Sequence, residues 1–201
     1  MMKYTIKDST TNSIKIQRSE FIAFLHPVTD AQICQELLRE HQIQYSDATH
    51  NCYAYVLGFE AETQYYSDAG EPCGTAGKPI LNSLLRNELS GVLAIVTRYY
   101  GGVKLGVKGL IEAYSQACTK AIELAQIVPY EEFSHYQITC DYPYLERLRH
   151  QIVQLKGVET ASNFHENVDL KIKIPKSREL DLEEFLVSAK ALHRLEYIRE
   201  D

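Results

Sequence analysis

The sequence predicts a two-domain chain, an α/β domain followed by a smaller α+β domain, and three observations carry this expectation. A long, broadly apolar helical pattern from Leu110 to Ala125 is followed by Ile127-Val128-Pro129-Tyr130, where a proline stops the helix. After it a new series begins whose periodicity reads strand, helix, strand, strand, helix, strand, the order of a ferredoxin-like domain. At 201 residues and 45 % hydrophobic, the chain can fill two small cores. The domains expected are 1–128 and 129–201.

Taken in order, Tyr4-Ile6 and Ile14-Ile16 flank a polar turn at Asp8–Ser13 and read as a hairpin, followed by the buried strand Phe21–Leu25. Thr29 with Gln32 forms a capping-box pattern before a helix at about 29–42, in which Ile33, Leu37 and Leu38 share a face. His41 falls at the end of that helix, where partial charge would suit the dipole. Asn51–Leu57, rich in aromatic and β-branched residues, reads as a strand, and Gln64-Tyr65-Tyr66 as its hairpin partner. Pro79 suits the first turn of a helix carrying Ile80, Leu81, Leu84 and Leu85. Gly91 then releases the chain into Val92–Val96, continuous enough in apolar character for a strand buried on both faces.

In the second domain, Ser134–Cys140 alternates as a strand and Leu145, Leu148, Ile152 and Leu155 mark a helix stopped by Gly157. Val158–His165 and Val168–Ile174 form a hairpin about Glu166-Asn167; a helix with Leu182, Phe185, Leu186 and Ala189 and a strand at Leu195–Arg199 complete the domain. In the second hairpin strand Leu170, Ile172 and Ile174 point one way and Asp169, Lys171 and Lys173 the other, with Lys176 and Arg178 next. This basic face suits either RNA or water.

The totals exclude several classes. A formal charge of −6 argues against a protein that coats nucleic acid through its overall field. Residues 1–129 hold 11 Lys and Arg against 13 Asp and Glu (−2), and residues 130–201 hold 10 against 14 (−4). No apolar run reaches the ~18 residues that span a bilayer. The start, MMKYTIKDSTTN, lacks a signal-peptide core, so a cytoplasmic protein without membrane partners is expected. Cys34, Cys52, Cys73, Cys118 and Cys140 are scattered and form no C-x-x-C pair, indicating neither a disulfide framework nor a zinc site. No cofactor is indicated, and His26, His135, His150, His165 and His193 show no ligand spacing.

Residues 66–109 concentrate the unusual chemistry, since they hold eight of the ten glycines, and no acid occurs between Glu88 and Glu112. Gly101-Gly102-Val103-Lys104-Leu105-Gly106 follows a buried strand and precedes a long helix, where amides and a lysine can meet an anion, although the spacing is neither that of a Walker loop nor of a dinucleotide loop. The same glycines suit a sharp turn with close helix packing. Lys78, Arg98, Lys104 and Lys108 are the candidate phosphate contacts of an RNA or ribosome surface, with Gly101 and Gly102 as amide donors and Tyr99 and Tyr100 for stacking. Asp68 and Glu71, with Asp47 and His50, have the residue types of a polar or metal site, but no formal motif predicts a metal and a polar turn uses the same residues. Cys73, before a helix start, is either a nucleophile with His50 as its base or an inert small residue.

Three ordered motifs, HNCYAYV at 50–56, SDAGEPCGTAGKPIL at 67–81 and TRYYGGVKLGVKGLIEAY at 97–114, resemble the YigZ/IMPACT family. The resemblance covers most of residues 1–125, and the remainder is similar to the smaller domain carried by bacterial members. It implies an N-terminal α/β domain like the second domain of ribosomal small-subunit protein five and a C-terminal ferredoxin-like domain similar to those of elongation factor G. It also implies a link to translation, because the eukaryotic relatives act in its control through the amino-acid-starvation kinase pathway. It assigns no catalytic residue. Ala69 stands where the family pattern has Asp, Cys73 where it has a small hydroxyl residue, and Val107-Lys108 where it has Thr-Gly. The function expected is non-catalytic regulation of translation, with RNA, the ribosome or a translation-related protein as partner. The alternative is an enzyme acting on a phosphorylated small molecule or nucleotide through the loop at 101–109.

Overall fold

The chain divides into two units, of which the first is Met1–Tyr130. Its elements are strands β1 (Tyr4–Ile6), β2 (Thr10–Ile16) and β3 (Ser19–Pro27), helix α1 (Ala31–Gln44), strands β4 (His50–Leu57) and β5 (Thr63–Ser67), helix α2 (Gly77–Arg86), strand β6 (Val92–Tyr99), helix α3 (Gly106–Leu124) and strand β7 (Ile127–Pro129). The second unit, Glu131–Asp201, holds β8 (Phe133–Cys140), α4 (Tyr142–Gln154), β9 (Val158–Phe164), β10 (Val168–Pro175), α5 (Glu179–Ala191) and β11 (Leu195–Glu200). The structure is a computed structural model that describes residues 3–200. No helix among them is long and apolar enough to cross a membrane.

The first unit is an α/β domain in which β2-β3-β6-β4-β5 form one sheet with every neighbouring pair antiparallel. Strand β6 lies at its centre and is buried from Val92 to Arg98, as its continuous apolar run predicts. Alternation divides its side chains. Val92, Ala94 and Val96 join the core under α2 and α3, while Leu93 and Ile95 join a smaller core under α1. Each such buried Val, Leu or Ile side chain contributes about 1.5–3 kcal/mol. Helix α3 supplies Leu110, Ala113, Tyr114, Ala117 and Ala121 to the larger core, the spacing of one helical face.

The second unit packs its two helices on an antiparallel sheet of order β11-β8-β10-β9, the ferredoxin-like arrangement that its element order predicts. Leu170, Ile172 and Ile174 enter its core. On the opposite face Lys171 pairs with Glu200 and Lys173 Nζ sits 4.8 Å from the Phe133 ring centroid.

Three local expectations are corrected. Tyr4-Ile6 does not pair with residues 14–16 across the Asp8–Ser13 turn; β1 pairs with β7, and β2 turns at Gln17-Arg18 to pair with β3. Residues 127–129 are therefore a strand of the first unit. The α1 cap is Asp30, whose Oδ1 accepts from the amides of Gln32 and Ile33, whereas the Thr29 hydroxyl donates to Asp30. His41 is buried rather than charged at a helix end, and burial lowers its pKa to about 4. Its Nε2 lies 2.7 Å from Thr97 Oγ1; because that hydroxyl donates to Asn51 Oδ1, the His41 nitrogen carries the proton between them.

Candidate functional site

Asp68, the residue after β5, organises the turn before α2. Its Oδ2 accepts from the Gly74 amide at 2.8 Å and its Oδ1 from the Ala76 and Gly77 amides at 2.9 Å each. The residue at the α2 cap position, Ala76, has no side chain able to accept, so Asp68 supplies the acceptor from a distance. Burial alone would raise the Asp68 pKa, but the three amides outweigh it and hold the carboxyl below its ordinary range. Both carboxylate oxygens are thereby committed to the fold, and Asp68 serves as a cap where a metal ligand was one expectation.

Three residues on, Glu71 is buried, and its Oε1 accepts from Arg98 Nη1 at 2.5 Å and from the Tyr114 hydroxyl at 2.8 Å. Arg98 follows Val96 on the inward face of β6 and is only 5 % exposed. Its guanidinium carbon lies 5.5 Å from the Phe21 ring centroid and 5.3 Å from that of Tyr100. The expected exposed phosphate contact at Arg98 is thus a buried ion pair. Cys52 donates to the Asp68 carbonyl and lies 3.5 Å from the Tyr114 hydroxyl. Burial pushes the Cys52 thiol up to about 12 and drives the Tyr114 hydroxyl far above its ordinary value, so both stay protonated. His50 Nδ1 is 2.9 Å from the Ala69 carbonyl; as a carbonyl only accepts, Nδ1 is the protonated nitrogen, and it steadies a residue held at φ +44°.

The 67–74 turn and the 97–109 junction face one cleft of about 430 Å³. Glu71, Pro72 and His50 border it on one side, and Arg98, Tyr100, Lys104, Leu105 and Gly106 on the other. Glu71 is the sole acid of its lining, and Arg98 neutralises it. Lys104 is exposed and makes no ion pair among the described residues. The cleft also receives the start of α3, which has neither a side-chain cap nor an acid in its first turn. The unsatisfied amides and positive dipole end of that helix add to Lys104.

The other candidates lie elsewhere. Gly101 is a packing glycine, because an added Cβ would come 1.9 Å from the Arg18 carbonyl oxygen, and its amide donates to Ser19 Oγ. Gly102 has φ +85° with open space around it, and neither glycine lines the cleft. Lys108 is exposed, 3.9 Å from Glu112. Lys78 lies in the first turn of α2, where it borders a separate groove against α3. Asp47 accepts from the Tyr99 hydroxyl, and Cys73 is exposed outside the cleft lining. Among the described residues no group of three or more His, Cys, Asp and Glu is placed to hold a metal ion. The sequence reading missed Tyr114 and Cys52; a tyrosine on the apolar stripe of α3 signals a buried hydroxyl that needs a partner.

Residues 17–122 match the Impact N-terminal domain, and residues 138–189 match a domain of unknown function, DUF1949. IMPACT family member YvyE of Bacillus subtilis (strain 168) is 34 % identical over 168 residues, which cover 84 % of this chain and 77 % of that protein. IMPACT family member YigZ of Escherichia coli (strain K12) is 30 % identical over 166 residues, covering 82 % of this chain and 81 % of that protein. A crystal structure of a hypothetical protein superposes with a TM-score of 0.71 at 26 % identity, covering 100 % of this chain and 98 % of that one. The motifs around the cleft, the two matched domains and relatives similar over most of their length place this chain in the IMPACT family.

Proposed function

We propose that this protein is a non-catalytic regulator associated with translation, whose N-terminal unit engages RNA or the ribosome through the cleft between residues 67–74 and 97–109. The observation that carries this is the cleft's charge. Its one acid is cancelled internally by Arg98, so Lys104 and the open end of α3 set its sign. Tyr100, 43 % exposed at the border, offers a ring to a base. The translation link of the family's eukaryotic members points the same way. An enzyme acting on a phosphorylated small molecule would draw its base or metal ligand from Asp68 or Glu71, and the hydrogen bonds of those side chains already serve the turn and Arg98.

The test is binding of ribosomes and of single-stranded RNA at low salt. Replacing Lys104 by Gln is expected to weaken binding and to flatten its dependence on log salt by about 0.7, the share of one phosphate no longer neutralised. Absence of binding at ~50 mM salt, or an unchanged slope in this variant, overturns the proposal.

A further inference from the structure

Between α2 and α3 runs an open groove of about 820 Å³ that adjoins the cleft. The turn at residues 72–74 separates them, with Pro72 on the cleft side and Gly74 on the groove side. A hydrogen bond between Ser83 Oγ and Ser115 Oγ, 3.3 Å, ties the two helices together.

Three cations line the groove: Lys78 and Arg86 from α2, and Lys120 from α3. Lys78 and Arg86 are exposed and make no ion pair among the described residues. Lys120 Nζ is 2.7 Å from Glu123, a pair about half exposed on both sides and therefore easily exchanged for another anion. Glu112 is the one acid of the lining. Arg86 lies eight positions after Lys78, which sets them about 12 Å apart along the helix axis. That span exceeds one phosphate and suits a chain of them. Pro79 and Ile111 add apolar surface between the charges.

We infer that the α2–α3 groove continues the cleft as the backbone track of one single-stranded RNA, with Lys78, Arg86 and Lys120 each taking a phosphate. The inference rests on the RNA reading of the cleft and extends it to a ligand several nucleotides long. Arg86 and Lys120 gain a role that the sequence motifs do not assign. A positive groove combined with an exposed aromatic ring, here Tyr100 on the border of the adjoining cleft, is the arrangement by which proteins hold single strands without reading their sequence.

Fluorescence anisotropy on the full chain, with single-stranded RNAs of about four and about twelve nucleotides, separates the track from the cleft. The double variant Arg86→Gln/Lys120→Gln is expected to bind the longer strand about tenfold more weakly, with a salt slope reduced by about 1.4, while its affinity for the shorter strand changes less than about twofold. Arg86→Lys/Lys120→Arg restores the slope, and Lys104→Gln weakens both strands. Both side chains are exposed, so unchanged thermal unfolding is expected and confirms that the loss is local.

If Lys104→Gln weakens RNA binding while the groove variant leaves the longer strand unaffected, the track is wrong and the cleft stands. Equal weakening of both strands by the groove variant overturns the continuation. So does competition by an RNA duplex as effective as that by the longer strand, or displacement by poly-glutamate with the same groove dependence, which would reassign the groove to an acidic peptide. If no RNA binds, the cleft and the track fall together.

Discussion

Lys171, Lys176 and Arg178 of the second unit face Glu200, Glu132 and Asp181, and Lys173 lies over the Phe133 ring. Lys78, Arg86 and Lys104 of the first unit have no such partners among the described residues, although that unit is also acidic overall. The same residue types thus differ in availability. In the second unit, acids of neighbouring segments occupy the cations; around α2 and the start of α3, residues 72–87 and 89–111 carry no acid and leave them open to outside anions. Arg98 is a third case, a cation withdrawn from water altogether to neutralise Glu71.

The contrast is tested most severely at Arg98. Arg98→Ala strands the buried Glu71 carboxylate, and a loss of about 3–5 kcal/mol is expected in urea unfolding. Replacing both partners, Glu71→Gln with Arg98→Met, is expected to recover most of it, because no charge is then left buried alone. A loss below ~1 kcal/mol for Arg98→Ala would mean the pair behaves like those on the surface.

A smaller effect is expected at Asp68. Asp68→Asn places an amide where the Gly74 or Ala76 and Gly77 amides need an acceptor, costing about 1–2 kcal/mol at neutral pH. The folded Asp68 carboxyl titrates below its ordinary value of 3.8, so its contribution is complete above that value and is lost as pH falls through the folded pKa. The gap between the parent and Asp68→Asn should therefore close in acid. A gap constant from pH 7 to below the carboxyl range would remove the charge from the explanation.

The smallest effect is expected on the second unit's sheet. The Lys171–Glu200 pair is 52 % and 38 % exposed, so Lys171→Ala should cost less than ~1 kcal/mol, and less still in high salt. A salt-independent loss as large as that at Arg98 would erase the distinction between the two kinds of pair.

Much of the fold was legible because its signals are local. The unbroken run of β6, the helical stripe of α3 and the alternation of β10 each report burial within a few residues. What escaped depends on distant partners. Tyr4-Ile6 has the residues of a strand, but nothing nearby says that it joins residues 127–129. His41 looks like a helix-end cation until Phe24 and Tyr45 close over it. Parity along β6 places Arg98 inward with Val96, but Glu71 and Tyr114 come from other elements. Asp68 and Glu71 were legible as polar residues of a turn, and their separate duties, one to amides and one to a guanidinium, are set by tertiary structure alone.

The pairing of β1 with β7 has a consequence for synthesis. The first strand of the N-terminal unit to leave the ribosome has as its partner the last strand of that unit to be made. Strands β2 to β5 and α1 can begin to associate earlier, and Tyr4 can bridge Leu89 once that residue is made, but the β7 side of the seam at Tyr4–Ile6 stays open until residues 127–129 emerge, more than a hundred residues later. Closure of this unit is therefore timed by translation itself, and a chain halted before Ile127 would carry Ile6, a residue of the finished core, without its strand partner.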